Sequence, residues 1–182
     1  KDGPVVLEIG TPVLGFVNDA FFRYVTDLGL VGADKGKGGK YLLVGPDYEG
    51  EIPEGYFVSR TSTYRHWALM RIAAKPGETK QAIEAFKQTF KIYPLADAKN
   101  PKPTEFINLS NNQYNTIHAN DASFYDELNE VIQYEPATAW DPELVGQAGA
   151  IGIKKGQEFN PDDRMKKILN EASTIANAYA RT

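Results

Sequence analysis

The hydrophobic pattern of this chain changes its period close to residue 76, and this change constrains the fold more than any other feature. Before it, short apolar runs alternate with glycine and proline, and Val5, Leu7 and Ile9 lie on one side of a run with a period of two. After it, apolar residues recur about every 3.6 residues, which is typical of helices with one buried face. The sequence therefore predicts an α+β fold, with an antiparallel β-sheet or barrel-like N-terminal part followed by a mostly helical C-terminal part.

The two patterns divide the 182 residues into a β-rich part, 1–75, and a mainly helical part, 76–182. Strands are expected over most of 4–75, and the apolar run at 41–44 has the composition of a buried strand. Helices are predicted over residues 78–90, 121–134, 142–150 and 161–180. We expect either a single domain or a fragment of a larger two-domain protein, because the chain opens on Lys1 and ends in helical sequence.

Composition excludes several classes of protein. The chain has no cysteine, so it has neither a disulfide framework nor a thiolate zinc site. The absence of cysteine is equally compatible with the cytoplasm and the periplasm, so it does not indicate the redox compartment. Its apolar runs are far shorter than the ~20 residues of a membrane-spanning helix. Residues 105–182 carry twelve acidic and six basic side chains, which argues against a phosphate-binding surface there. We therefore predict no membrane span and no nucleic-acid partner.

The residue types do not predict a cofactor or a metal site. The glycine- and lysine-rich turn at 36–40 lacks the preceding glycine and the following serine or threonine of a P-loop, and it leads into a strand instead of a helix. The chain has two histidines, His66 and His118, so a three-histidine site is excluded. The number of residues would still allow a metal site made of both histidines and the carboxylate of Glu105 or Asp121. Nothing in their positions along the sequence indicates that the two histidines meet.

Side chains on the predicted strands form the first candidate binding site. Arg23 and Tyr24 are adjacent, Asp27 follows closely, and later strands carry further arginines. These are Arg60, Arg65 and Arg71. Together on a concave sheet face they would bind a carboxylate or a sugar, because guanidinium groups pair well with carboxylates. The alternative is that the arginines are the solvent-facing half of the strand alternation.

The second candidate site lies in the loop before the helix predicted at 121–134. His118 and Asp121 are the candidate ligand-binding residues here, and the amides at the start of that helix would together with the side chain of His118 hold an anion or a substrate carboxylate. In that interpretation His118 is the acid or base of an enzyme that acts on a small carbonyl, ester or sugar compound. The alternative is that Asn120 or Asp121 already caps the amides and His118 only packs. Catalytic residues stay unassigned.

Six stretches of the chain carry a resemblance to a family. They are residues 2–8 (DGPVVLE), 22–29 (FRYVTDLG), 38–43 (GGKYLL), 91–95 (KIYPL), 115–121 (NTIHAND) and 124–130 (FYDELNE). With them the chain resembles the middle portion of bacterial proteins built from tandem domains of unknown function, in which a β-rich N-terminal domain precedes a C-terminal jelly roll. These motifs are signatures of a fold and not of a chemistry, so no catalytic residue is carried over.

The resemblance implies an exported protein of the bacterial cell envelope, periplasmic or secreted, while a cytoplasmic location is not excluded. It also implies flanking segments on both sides of this chain, which would be its partners. We expect a protein that binds a small-molecule ligand through its β-rich part, with the enzyme centred on His118 as the alternative. Because the strands would belong to a larger sheet, we also expect exposed strand edges or apolar patches, covered by a partner segment or in a homo-oligomer.

Overall fold

The computed structural model of the protein describes residues 3–180. Residues 1, 2, 181 and 182, which belong to the predicted β-rich and helical parts, lie outside the described residues. The chain divides into two units, Lys1–Asn108 and Leu109–Thr182. Within the described range, the first unit contains β1 (Val5–Ile9), β2 (Val13–Asp19), β3 (Tyr24–Gly29), β4 (Gly39–Val44), β5 (Phe57–Arg60), β6 (His66–Ile72), α1 (Thr79–Thr89) and β7 (Lys91–Pro94). The second contains α2 (Ser123–Tyr134), α3 (Pro142–Ala150) and α4 (Asp163–Ala180).

The strands form two sheets, with the orders β5-β4-β1-β7 and β3-β2-β6. Neighbouring strands are antiparallel except β4 and β5, which run parallel. The predicted α+β class is confirmed, with strands in the N-terminal part and most helices in the C-terminal part. None of the helices within residues 3–180 has the length and apolar character needed to cross a membrane.

The two sheets of the first unit share one apolar core. Its buried members are Leu7, Ile9, Tyr41 and Leu43 from the four-stranded sheet, Val13, Val17 and Leu28 from the three-stranded sheet, and Phe90 after α1. The hydroxyl of Tyr41 donates to the carboxylate of Asp34 at 2.5 Å, and that carboxylate accepts the backbone N–H of Gly38 at 3.0 Å. Burial raises the pKa of Tyr41 to about 12. The glycine- and lysine-rich turn is therefore tied to the core through a neutral phenol.

Strand β4 is buried on both of its faces, which explains its unbroken apolar run. A second core lies on the opposite side of the four-stranded sheet from the first. Its buried members are Val6, Leu42, Val44 and Tyr93, with Tyr48, Ile52, Tyr56, Leu95 and Ala98 packed against them. The hydroxyl of Tyr93 donates to Glu8 at 3.0 Å, and burial, helped by this carboxylate, raises its pKa. A strand covered on both faces needs no polar alternation.

The helices of the second unit follow their local sequence signals closely. At the start of α3 the carboxylate of Asp141 accepts the backbone N–H of Glu143 at 2.8 Å, and Pro142 occupies the first turn. At the end of α2 the amine of Lys155 donates to three backbone carbonyls, one of them that of Glu135 at 2.7 Å. These contacts satisfy groups that a helix terminus leaves without intrahelical partners. The helices predicted at 121–134, 142–150 and 161–180 are confirmed.

Two features of the first unit were not predicted. Residues 91–94 form β7, which pairs with β1 across a large sequence separation, and the parallel pairing of β5 with β4 departs from the expected antiparallel arrangement. Both pairings depend on residues distant in sequence, so the local period does not reveal them. Large apolar side chains are also exposed, as expected. Those more than half exposed are Phe22, Tyr24, Leu30, Val31, Ile107, Leu109, Tyr114, Ile117 and Tyr179.

Candidate functional site

A buried carboxylate organises the turn between β2 and β3. Asp19 is only 4% exposed, and its Oδ1 accepts the backbone N–H groups of Phe21 and Arg23 at 2.8 and 2.9 Å. Its Oδ2 accepts Nε of Arg23 at 2.7 Å. Arg23 also donates through Nη2 to the hydroxyl of Ser62 at 3.0 Å. The predicted binding residue Arg23 is therefore engaged within the protein, where it holds the turn in place.

The same turn presents a strained aromatic residue to solvent. Phe22 has a φ of 60°, in the left-handed region that bulky residues rarely adopt, and it is 68% exposed. Its ring centroid lies 5.2 Å from that of Trp67, which lies 5.6 Å from that of Phe16. We call Phe16, Phe22 and Trp67 the aromatic cluster. Backbone strain of this kind costs about 1–3 kcal/mol and is concentrated at functional sites.

The aromatic cluster borders the solvent-facing side of the three-stranded sheet, which we call the outer sheet face. On β2, Val13 and Val17 point into the core, so Leu14 and Phe16 point outward. The strand register places Phe16 opposite Asp27 on one neighbour and opposite Leu69 on the other. A groove of about 270 Å³ lies here, lined by Leu14, Gly15, Phe16, Asp27, Val31, Leu69 and Arg71.

Polar groups lie within and beside this groove. The hydroxyl of Tyr24 donates to Oδ2 of Asp27 at 3.1 Å, and desolvation together with this carboxylate raises the pKa of Tyr24. Arg71 is exposed and lines the groove beside Asp27. Of the predicted arginines, Arg60 is on β5 of the other sheet, where its Nη1 lies 3.5 Å from the carbonyl of Tyr48. The structure thus brings Asp27, Arg71 and Tyr24 to one face.

The second candidate site belongs to the second unit. His118 is exposed, its Nδ1 lies 2.8 Å from the carbonyl of Ala119, and its ring meets that of Phe124 edge-on at 5.7 Å. It lines a cleft of about 190 Å³ between the start of α2 and the end of α4. The carboxylate of Asp121 accepts the backbone N–H and the hydroxyl of Ser123 at 2.9 and 2.5 Å, and these bonds lower its pKa.

The carboxylate of Asp121 accepts the amide of Ser123, the first residue of α2, from one position before the N-cap; the N-cap is Ala122, which makes no side-chain cap hydrogen bond. The role of His118 as an acid or base stays a prediction, as does ligand binding by Asp121. The four predicted site residues divide between the units, with Arg23 and Tyr24 in the first and His118 and Asp121 in the second. Across residues 3–180, no three His, Asp or Glu side chains are grouped so as to hold a metal ion.

The aromatic cluster is not among the sites predicted from the sequence. One feature of the sequence does indicate it: β2 has apolar side chains on both of its sides. In a sheet at the protein surface, one side is usually polar. The other members gave no such signal, because Phe22 and Trp67 are distant in sequence and Phe22 is in a turn. Their contact arises from the pairing of β2 with β6.

The fold is similar to that of a solved protein. The VPA0106 protein from Vibrio parahaemolyticus, a structural genomics target, matches with a TM-score of 0.69 and 15% sequence identity. The match covers 97% of this chain and 45% of that one, so the chain spans just under half the length of this relative. At this identity the likeness concerns the fold alone. Among curated proteins, no match to the chain is found.

A family model matches residues 1–94, which hold the seven strands and α1 and thus the whole outer sheet face. The expected membership in a family of unknown function is confirmed by this match. A jelly-roll domain that follows this segment stays a prediction. The chain belongs to the family described as protein of unknown function (DUF1254).

Proposed function

We propose that this protein binds a small ligand with a sugar-like ring or a carboxylate on the outer sheet face of its β-rich unit. The observation that carries the proposal is the strained and exposed Phe22, held against Trp67 by the Asp19 turn. A left-handed conformation costs stability at a residue of this size, and here it places an aromatic ring in solvent. Exposed apolar patches rimmed by polar groups are typical of binding surfaces.

The groups around the groove suit a ligand that has both an apolar and a polar side. The rings of the aromatic cluster are inclined to one another, and the exposed ring of Phe22 offers an apolar face against which a sugar ring can pack. At the groove, the carboxylate of Asp27 supplies hydrogen-bond acceptors and the guanidinium of Arg71 supplies donors. The hydroxyl of Tyr24 donates to the carboxylate of Asp27. A guanidinium group is also the natural partner of a ligand carboxylate. An exported location, periplasmic or secreted, is part of this proposal and rests on the family resemblance.

Tryptophan fluorescence tests the proposal directly, because the chain has two tryptophans and Trp67 belongs to the aromatic cluster, where its ring contacts that of the groove residue Phe16. In a Trp140→Phe background, we would titrate the protein with glucose, galactose and glucuronate, the last of which carries both a sugar ring and a carboxylate. We expect a saturable change in Trp67 emission with at least one probe. Phe22→Ala should weaken that binding about tenfold, since stacking on one aromatic ring contributes roughly 1–3 kcal/mol.

Tyr114→Ala is the matched control, because Tyr114 is an exposed aromatic residue of the second unit, 59% accessible, and not part of the cluster. Its affinity for the probe should equal that of the parent. Absence of saturable binding for all three probes, or equal binding by Phe22→Ala and the parent, would show that the aromatic cluster is not a ligand platform for this chemistry.

A further inference from the structure

One edge of the three-stranded sheet, at β6, is long and has no neighbouring strand within residues 3–180, although α1 also contacts β6. β6 runs from His66 to Ile72 and pairs with β2 over all seven residues without a bulge. No further strand lies beyond β6 in the part of the chain that the structure describes. The strand contains no proline and no lysine, and Trp67, Ala68 and Arg71 are exposed. A long regular edge of this kind is a template for pairing with another strand.

The other sheet edges carry the features that natural proteins use against such pairing. β7 is short, contains Lys91, ends at Pro94, and the N–H of Ile92 donates to the hydroxyl of Thr104 at 3.0 Å. β5 has only four residues. β3 pairs with β2 through a register that shifts between Val17 and Asn18, whereas the pairing of β6 has no such shift. The contrast singles out β6.

We propose that two copies of this chain pair antiparallel along β6, around a two-fold axis that passes through Leu69. Leu69 is the middle residue of β6, so this register pairs the whole strand. It sets Trp67 opposite Arg71 of the second copy, where a guanidinium can lie against an indole ring. No two like charges face each other. A register centred on Ala68 instead places Arg71 against Arg65, and one centred on Arg71 opposes two copies of the same cation.

This pairing joins two three-stranded sheets into one of six strands, with the two outer sheet faces side by side. Trp67 and Arg71 both belong to the outer sheet face, so each copy contributes a guanidinium next to the aromatic cluster of the other. The interface is isologous, as in most homodimers, and every contact in it occurs twice. The inference does not rest on the proposed ligand, because pairing needs only the strand edge.

A single introduced thiol tests the register. The chain has no cysteine, so a disulfide that links two protein side chains in Leu69→Cys can form only between two copies, by attack of the second copy's thiolate on the mixed disulfide with glutathione and release of glutathione. Residues directly opposite each other in antiparallel strands have Cα atoms about 4.5–5.5 Å apart, which fits a disulfide. We expect Leu69→Cys to cross-link rapidly with oxidised glutathione. Leu14→Cys, on the central strand of the same face and 45% exposed, should cross-link slowly or not at all.

Charge exchange provides a second readout. Leu69→Lys and Leu69→Glu each place like charges together on the axis, so each should sediment as a monomer, while an equimolar mixture of the two should regain the dimer. Circular dichroism checks that each variant is folded. The proposal is overturned if the wild-type chain sediments as a monomer, if Leu69→Cys cross-links no faster than Leu14→Cys, or if the mixture stays monomeric. None of these measurements contains a ligand, so their failure leaves the proposed binding function untouched.

Discussion

Replacement of Asp19 by alanine tests the central structural claim, that a buried carboxylate holds the turn which presents Phe22. The substitution removes three hydrogen bonds to a charged acceptor, two from backbone N–H groups and one from Arg23. At the lower end of about 1.5 kcal/mol for each such bond, the loss is about 4.5 kcal/mol. Relaxation of the left-handed backbone at Phe22 returns about 1.5 kcal/mol. We therefore expect Asp19→Ala to lower the free energy of unfolding by about 3 kcal/mol.

Urea unfolding followed by circular dichroism measures this difference, provided that the two chains show the same dependence on denaturant. Asp19→Asn is the matched control, because its amide oxygen still accepts the backbone N–H groups while the charge that faces Arg23 is lost. It should destabilise the protein by about half as much. In the alanine variant the emission of Trp67 should also change, since the ring of Phe22 is no longer held 5.2 Å away. A loss below about 0.5 kcal/mol, as at an ordinary surface position, would refute the claim.

Two further predictions concern the core and the second candidate site. The pKa of Tyr41 is raised from 10.0 to about 12 in the folded chain, which corresponds to about 3 kcal/mol in the free energy of unfolding. This contribution is complete below pH 10 and is lost as the pH rises toward 12, because the unfolded chain loses the phenol proton first. Urea unfolding between pH 9 and 12 should show a smaller alkaline loss for Tyr41→Phe, and equal slopes for the two chains would contradict the assignment. His118→Ala should change the free energy of unfolding by less than about 1 kcal/mol, because the side chain is exposed and its Nδ1 contacts the carbonyl of the adjacent residue, Ala119. A loss of more than about 2 kcal/mol in the same assay would show that His118 is a packing residue.

The elements of this fold whose signals are local could be predicted from the sequence. Asp141 and Pro142 stand directly before an apolar helical pattern, and α3 begins there because a cap and a first-turn proline act within a few residues of chain. The four apolar residues at 41–44 indicate a buried strand for a similar reason, because a strand that is covered on both faces is apolar at every position of its own sequence. The hydrogen bond from the amide of Ser123 to Asp121, one of the two residues expected to satisfy the amides at the start of α2, likewise involves only neighbours in the chain.

The candidate site and the edge depend on partners that only the tertiary structure brings together. The sequence predicts Arg23 as a candidate ligand contact, and this stays a prediction; that its Nε pairs with Asp19 depends on a turn between two strands that pair with each other, β2 and β3. Phe22 and Trp67 meet because β6 pairs with β2, and the period of a strand carries no information about which strand becomes its neighbour. Strand pairing is selected by the combined burial of both sheets in one core. Local sequence therefore determined most of the strands and the helices, while long-range packing decided that residues 91–94 form a strand and which side chains share a surface.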